Sequence, residues 1–237
     1  MRLFEPLLAG ADLPQRLIGC ATAAVAIALT IVVCSGLPLT AADLPIIVAP
    51  LGASAVLVFA VPSSPLAQPW PVVGGNTISA LVGVAAFTLI PNATIAAGVA
   101  VGAAILAMSL LRCLHPPGGA AALTAVIGSQ GIHAAGFAFA FTPVCINSVA
   151  LVSIGMILHR ATARTYPHVA APAASRSALH DADIDAALAD MHESFDISRE
   201  DLNALLTHAE RHATARVKGN KGRYGPLTLR KTGEPSR

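Results

Sequence analysis

Several residues that can bind a small anion lie within one short stretch, LRCLHPPGGAAALTAVIG, between Leu111 and Gly128. They are Arg112, His115, Pro116, Pro117, Gly118 and Gly119. The arginine carries a permanent charge, and the histidine ring titrates near neutral pH. Prolines suit the first turn of a helix, and glycines leave the backbone open to a ligand. Because a helix start has unpaired N–H groups and a positive dipole, the stretch predicts an anion site there.

A second, uncharged stretch of the same kind begins at Pro50, with Gly52 and Ser54 close behind it. The eight residues from Pro50 and the eight from Pro116 share the frame Pro-x-Gly-small-small-Ala-x-Leu. We therefore expect two half-helices whose starts approach each other.

The segments that follow these two stretches also resemble each other. Asn76-Thr77 is followed shortly afterwards by Ala80-Leu81-Val82, and Asn147-Ser148 by Ala150-Leu151-Val152. Two matches in the same order favour an internal duplication. Paired broken helices around a central substrate site are a recurrent transporter design, so both asparagines join the candidate binding residues.

Structural roles remain open for each of these residues. A Pro-Gly pair also forms a simple turn, and an arginine can extend toward lipid phosphate. The histidine can cap a carbonyl, and the two asparagines can hydrogen-bond between helices.

The composition indicates that these residues lie in a membrane. Hydrophobic residues make up 54% of the 237 residues, and only Asp43 and Arg112 are charged between Leu17 and Leu158. A soluble domain is about a quarter charged, whereas roughly 20 apolar residues form one bilayer crossing. The sequence predicts an all-α polytopic membrane bundle with two internal repeats that contain broken or re-entrant half-helices.

Six apolar segments form the predicted bundle: 17–36, 44–61, 72–90, 93–111, 116–128 and 134–158. The second and fifth are the candidate broken helices. Arg2 and Arg16 precede the first segment, and His159, Arg160 and Arg164 follow the last, which predicts two cytoplasmic ends. Six crossings, or four with two re-entrant hairpins, satisfy this condition. The six-crossing arrangement places Arg112 near the cytoplasmic face and is favoured.

The composition changes after the last apolar segment. We expect a transmembrane domain over residues 1–165, a linker over 166–177, a cytoplasmic helical hairpin over 178–217 and a disordered basic tail over 218–237. Ser198 and Asp201 have the spacing of a capping box at the start of the second hairpin helix.

Three stretches carry a resemblance to a known family. HPPGGA from His115, PLGASAVLVFAVPSSPLAQPW from Pro50 and GGN from Gly74 are similar to the HPP family of integral membrane proteins. The hairpin resembles the segment that joins this domain to paired CBS modules in longer members. Plant and cyanobacterial members are associated with nitrite transport, so the resemblance implies nitrite as a substrate.

Together these features favour a transporter or channel for a small inorganic anion, first of all nitrite. The alternative is a non-transporting scaffold or sensor that recruits a cytosolic partner through the hairpin. An intramembrane enzyme is not expected, because GxSxG, HExxH and paired intramembrane carboxylates are all missing from the sequence. No metal, cofactor or nucleic acid is expected. We expect a homo-oligomer in a bacterial inner membrane.

Overall fold

The computed structural model describes residues 13–36, 44–169, 181–191 and 197–221. These residues contain helices and no strand, which confirms the predicted all-α class. The chain separates into one unit of residues 1–169 and another of 170–237. Asp43, most of the predicted linker and the tail beyond Lys221 lie outside the described residues.

The helices of the first unit follow the six predicted apolar segments closely. They are α1 (Leu13–Ser35), α2 (Pro50–Ala60), α3 (Asn76–Leu89), α4 (Ala93–Leu110), α5 (Pro116–Ile127), the short α6 (Gln130–Ala135) and α7 (Ile146–Ala161). A π-helical segment, Pro71–Gly75, leads into α3, and a second one, Ala140–Cys145, leads into α7. Four of the described helices are long and apolar enough to cross a membrane: α1, α4, and α3 and α7 with their π-helical segments. By contrast, α2 and α5 have 11 and 12 residues.

The helix starts follow local chemistry. Pro50 and Pro116 occupy the first turns of α2 and α5, where the missing N–H costs no helical hydrogen bond. Asn92 caps α4, because its side chain accepts a hydrogen bond of 3.0 Å from the N–H of Ile95. The two half-helix starts that the sequence predicts are therefore present.

The six main helices pack as two groups of three. One group contains α1, α2 and α7, and the other contains α3, α4 and α5. Each group takes its third helix from the other half of the sequence. This exchange was not predicted, because helical periodicity does not encode which helices become neighbours.

Within the first group, α2 and α7 run in the same direction and α1 runs against them. Asn147 at the start of α7 accepts a hydrogen bond from the N–H of Val48, just before α2. His159 near the end of α7 contacts the carbonyl of Val58 near the end of α2. Asn147 also contacts Cys34, which lies at the end of α1.

The second group has the same pattern. Gly75 at the start of α3 lies beside His115 at the start of α5, and Gly83 further along α3 lies against Ala122 of α5. Met108 near the end of α4 packs against Gly75, so α4 runs against the other two helices.

The groups themselves run in opposite directions. His115, just before α5, contacts the carbonyl of Leu66, which follows the end of α2. Thus α5 begins where α2 ends. The two internal repeats that the sequence indicates stay a prediction.

The four arginines among the described residues of the first unit gather at one end of the bundle. Arg16 lies in the first turn of α1, Arg112 follows α4, Arg160 lies in the last turn of α7, and Arg164 follows it. No Asp or Glu occurs among the described residues of this unit. We refer to this end as the arginine end.

The first four residues of the predicted linker belong structurally to the first unit. Tyr166 is buried, and its hydroxyl donates a hydrogen bond of 2.8 Å to the carbonyl of Ala67. The backbone N–H of His168 donates to the side chain of Gln68. The Pro-, Ala- and Ser-rich composition suggested an earlier boundary because such contacts between distant residues are invisible in it.

The second unit contains α8 (Asp181–Met191) and α9 (Arg199–Lys221). The Ser198 hydroxyl accepts a hydrogen bond from the backbone N–H of Asp201, which confirms the serine half of the predicted capping box, and it donates one to the carboxylate of Asp201. An ion pair between Arg199 and Asp185 connects the two helices. The helix α9 extends to Lys221, four residues into the predicted tail.

Candidate functional site

Four buried polar side chains form a continuous chain between the two helix groups. Asn76 at the start of α3 donates one hydrogen bond of 3.1 Å to the hydroxyl of Ser54 in α2 and another of 3.2 Å to that of Ser148 in α7. The Ser54 hydroxyl lies 2.8 Å from Nε2 of His115. All four residues are at most 1% exposed. The chain thus links α2, α3, the start of α5 and α7.

The partners of His115 define its protonation state. Nδ1 lies 2.8 Å from the carbonyl oxygen of Leu66, which can only accept, so Nδ1 carries the proton. In the neutral ring, Nε2 then accepts from the Ser54 hydroxyl at 2.8 Å, a shorter contact than the 3.3 Å between this hydroxyl and the carbonyl of Pro50. A buried imidazolium without a carboxylate beside it would be expensive. His115 therefore acts as a neutral link in the chain.

The orientation of the Asn76 amide also follows from which of its neighbours can donate and which can accept a hydrogen bond. The Ser148 hydroxyl donates its proton to the carbonyl of Val144, so toward Asn76 it can only accept. The NH₂ group of Asn76 must face the two serines, and both of its protons are used. Its carbonyl oxygen Oδ1 is buried and has no partner among the described residues.

A second polar atom without a partner lies on the same face of α3. The hydroxyl of Ser79 is fully buried and makes no hydrogen bond to any described residue. Ser79 follows Asn76 by three residues, which places both side chains on one side of the helix. Buried polar groups are nearly always satisfied. Asn76 Oδ1 and the Ser79 hydroxyl are therefore the two atoms here that can still accept or donate a hydrogen bond to a small polar ligand or water.

The start of α5 does not offer the N–H groups that the sequence suggested. Pro116 and Pro117 have no N–H, and the N–H of Gly118 bonds to the carbonyl of His115 at 2.8 Å. The first three helical positions therefore leave no N–H free for an anion. The expected anion site at this helix start is not formed by its N–H groups, because each of the two successive prolines lacks one.

The glycines of this helix start serve packing. A Cβ atom added to Gly118 would lie 2.7 Å from the Ser79 hydroxyl, 2.8 Å from the sulfur of Met108 and 3.0 Å from the carbonyl oxygen of Gly75. Gly119 is half-exposed, and its nearest neighbour would be 4.0 Å away. Gly118 thus lets α5 approach α3 and α4 closely.

Arg112 lies outside the polar chain. Its backbone has a φ of 53°, and its exposed side chain makes no hydrogen bond or ion pair with the described residues. A left-handed residue commonly ends a helix, and Arg112 comes directly after Leu111, the C-cap residue of α4. Sequence adjacency placed Arg112 with His115, but the turn separates the exposed side chain from the buried one.

The three candidate residues at the start of α2 lie in different surroundings, and only one of them belongs to the polar chain. Ser54 belongs to the polar chain, and Pro50 is buried at the start of α2. Gly52 lies on the exposed side of the same helix with open space around it.

Asn147 lies outside this chain. Its Oδ1 accepts a hydrogen bond of 3.0 Å from Val48, and its Nδ2 donates to the carbonyl of Ile46 at 3.0 Å. It also contacts the sulfur of Cys34. Asn147 therefore holds the segment before α2 in place, which was one of the two open roles.

The segment between α2 and α3 fixes the polar chain from the arginine end. Leu66 accepts from His115, while the neighbouring Ala67 accepts from Tyr166. Burial raises the pKa of the Tyr166 phenol. The indole of Trp70 donates to the carbonyl of Leu111 at 3.2 Å. These contacts explain why the PSSPLAQPW stretch holds a defined shape.

Ser148, Ser79 and Leu66 were not predicted as members of the site. Ser148 directly follows Asn147, and Ser79 follows Asn76 by one helical turn, so helical spacing was the available signal for the serines. Leu66 contributes only its backbone carbonyl, which no sequence motif reveals.

Residues 9–167 match the family model described as the HPP transmembrane region. The chain belongs to the HPP transmembrane family. This confirms the family resemblance that the three sequence stretches indicated.

Two curated relatives are transmembrane proteins of Dictyostelium discoideum. One is 36% identical over 131 residues, which cover 53% of this chain and 46% of the relative. The other is 39% identical over 120 residues, which cover 48% of this chain and 38% of the relative. This chain therefore matches less than half the length of either relative. No solved structure matches it significantly. The HPP-family chain is thus a multi-pass membrane protein.

Proposed function

We propose that this chain is a transporter or channel for a small inorganic anion, with nitrite as the first candidate. The main support is the buried polar chain of Ser54, Asn76, His115 and Ser148 between two oppositely directed helix groups. Polar side chains inside a membrane domain are costly and commonly line substrate pathways. Nitrite itself comes from the family resemblance. The proposed activity is transport, without a catalytic step or a cofactor.

One group on α3, a hydroxyl, supports a binding role. The Ser79 hydroxyl is a donor without a described partner, and it lies on the same helix face as Asn76. A hydrogen bond from a buried donor to a charged group contributes about 1.5–3 kcal/mol. A small oxyanion beside Ser79 would satisfy that donor.

The charge distribution supports an anion over a cation. The described residues of the first unit carry four arginines at one end and no carboxylate. A surface of one charge sign raises the local concentration of ions of the opposite sign. The arginine end would therefore attract anions toward the bundle.

Flux into liposomes tests this function. We expect liposomes containing the purified chain to take up nitrite faster than protein-free liposomes, and faster than they take up nitrate, formate or chloride. Faster uptake of another of these anions would keep anion transport and reject nitrite. Absence of flux for all four would reject the transport proposal.

If no anion flux is measured, the better-supported function is a non-transporting scaffold or sensor that recruits a cytosolic partner. In its favour, α8 and α9 form a separate unit with its own cap and ion pair. Capture of a cytosolic protein that depends on 181–221 would then support it.

The positions of the arginines support an orientation with the arginine end in the cytoplasm, in agreement with the positive-inside rule. Thr165 lies at this end and Ser129 at the other, and both are exposed. In a cysteine-free background, Ser129→Cys should react with an impermeant maleimide added outside the bacterial inner membrane. Thr165→Cys should be protected, and the reverse pattern would contradict this orientation.

We propose that the chain forms a homo-oligomer whose interface lies on the outer face of α4. Gly98 and Gly102 have open space around them, so a helix of a second copy can approach closely. Gly98→Leu should convert an oligomer in nanodiscs into a monomer, while Gly52→Leu should not. A wild-type monomer in nanodiscs would contradict the proposal.

A further inference from the structure

A groove of about 700 Å³ lies between the start of α1 and the end of α2, away from the buried polar chain. It opens at the arginine end of the bundle. Its lining residues are Gln15, Arg16, Gly19, Cys20, Ala23, Ala55, Val56, Ala60, Pro62, Ser63, Arg164, Thr165 and His168. Neither the family match nor the transport proposal gives this groove a role.

The lining changes from polar to apolar along the groove. Arg16 is in the first turn of α1, and Arg164 lies beside it at the mouth. Small or apolar side chains follow deeper in, ending at Ala23 of α1 and Ala55 of α2. Seven residues of helix separate Arg16 from Ala23, which corresponds to about 10 Å. The groove thus has a charged mouth and an apolar interior.

Arg164 is held in position at this mouth. One of its Nη atoms donates to the carbonyl of Gln15 at 2.6 Å, and the other lies 3.5 Å from the carbonyl of Phe59. A guanidinium has five N–H donors, so several remain available. Among the described residues, neither Arg16 nor Arg164 has a carboxylate partner, and no Asp or Glu lines the groove.

We propose that this groove binds an anionic phospholipid. The phosphate lies between Arg16 and Arg164, and the first part of an acyl chain lies along Ala23 and Ala55. The apolar interior distinguishes this occupant from a free inorganic anion, which gains nothing from apolar walls. The charged mouth distinguishes it from a zwitterionic lipid, because each basic residue near the membrane surface favours anionic lipid.

Native mass spectrometry of the full chain in mild detergent tests the proposal. Phosphatidylglycerol and phosphatidylcholine with the same acyl chains are the two probes. We expect phosphatidylglycerol to bind more tightly. Arg16→Gln should weaken its binding about fivefold and leave phosphatidylcholine unchanged. Because the Arg16 side chain is exposed and makes no described hydrogen bond, this substitution spares the fold.

Two matched controls make the result specific. Arg160→Gln removes an exposed arginine at the same end that does not line the groove, and it should have no effect. Ala23→Phe fills the apolar interior and should weaken both lipids, whereas Ala28→Phe on the exposed side of α1 should weaken neither.

Several outcomes would overturn the lipid site. Equal affinities of the wild-type chain for the two lipids would do so. Equal losses in Arg16→Gln and Arg160→Gln would indicate a diffuse charge effect. Unchanged lipid binding in Ala23→Phe would remove the acyl chain from the groove. Displacement of phosphatidylglycerol by millimolar inorganic phosphate would identify a free-anion site instead.

Discussion

The Ser54 hydroxyl oxygen lies 2.8 Å from Nε2 of His115, although 61 residues separate the two in sequence. This contact joins α2 of one helix group to the start of α5 in the other. It places the start of α5 beside the middle of α2, whereas the sequence predicted that the starts of the two half-helices approach each other. It also makes the HPP histidine a structural link, because both of its ring nitrogens already have partners inside the protein.

A double-mutant cycle should detect this link. Ser54→Ala and His115→Ala each leave buried polar atoms unsatisfied, which costs about 1–3 kcal/mol per group. Because both substitutions disrupt one network, we expect their effects on the free energy of unfolding to be non-additive by about 1 kcal/mol. Denaturant titration in mild detergent measures the three variants and the wild type.

A control cycle pairs Ser54→Ala with Thr124→Ala. The Thr124 hydroxyl bonds only within its own helix, to the carbonyl of Ala120. This pair should be additive within about 0.5 kcal/mol. Additivity of the Ser54 and His115 pair to the same degree would contradict the proposed link.

Local chemistry explains which parts of the fold were predictable. Pro50 and Pro116 identified the helix starts, because proline acts on its own backbone. Ser198 and Asp201 identified the cap of α9 for the same reason. The exposed position of Arg112 depends on a left-handed turn that no local preference of arginine encodes. The exchange of α3 and α7 between the groups depends on packing across the whole bundle.

In the candidate site, too, some features follow from local residue types and others only from the packing of the whole bundle. Ser54 and Asn76 were identified as polar residues in apolar segments and His115 as a polar residue just before one, and the structure brings the three together. Asn147 fits the same description, yet it fixes the segment before α2. Residue type and spacing reveal that a buried polar side chain needs partners, but only the fold decides whether those partners belong to a shared cluster.

The two neighbouring glycines of the HPPGG stretch should respond differently to alanine. In Gly118→Ala the new methyl group meets Ser79, Met108 and Gly75 at 3.0 Å or less, and overpacking costs about 1–3 kcal/mol. In Gly119→Ala the nearest atom lies 4.0 Å away. Replacing this helical glycine should therefore be neutral or stabilising by up to about 1 kcal/mol.

Thermal unfolding of both variants in the same detergent measures this difference. The double variant Gly118→Ala with Ser79→Gly removes one of the three close contacts and should recover part of the loss. Equal melting temperatures for Gly118→Ala and Gly119→Ala would show that α5 does not pack against α3 at this distance.

Tyr166 should make stability depend on alkaline pH. Because burial raises its pKa, the folded protein keeps the phenol proton at pH values where the unfolded chain, with a pKa of about 10, has lost it. The contribution is fully present below about pH 10 and declines as the pH rises further, by at most about 1.4 kcal/mol per pH unit.

Tyr166→Phe should remove this part of the alkaline decline. At neutral pH it should also cost about 1–3 kcal/mol, because the carbonyl of Ala67 loses its partner. Unfolding free energies of the wild type and the variant at about pH 8 and about pH 11 give the comparison. The same alkaline decline in both proteins would exclude a contribution from the Tyr166 phenol.

Ser79→Ala should separate transport from stability more sharply than any change in the polar chain itself. The Ser79 hydroxyl is buried without a described partner, so its removal should leave the free energy of unfolding unchanged or higher. If this hydroxyl binds the anion during transport, its loss removes about 1.5–3 kcal/mol of binding free energy. This corresponds to a decrease of roughly ten- to hundredfold in nitrite affinity.

Nitrite flux into liposomes at several concentrations, together with unfolding in detergent, measures both quantities on one preparation. Ser109→Ala is the matched control, because Ser109 is exposed on α4 and its hydroxyl bonds only to the carbonyl of Ile105 in the same helix. We expect wild-type flux in Ser109→Ala and reduced flux in Ser79→Ala at equal protein content. Wild-type flux and affinity in Ser79→Ala would place the anion pathway away from the inner face of α3. Reduced flux with a matching loss of stability would assign Ser79 a packing role instead.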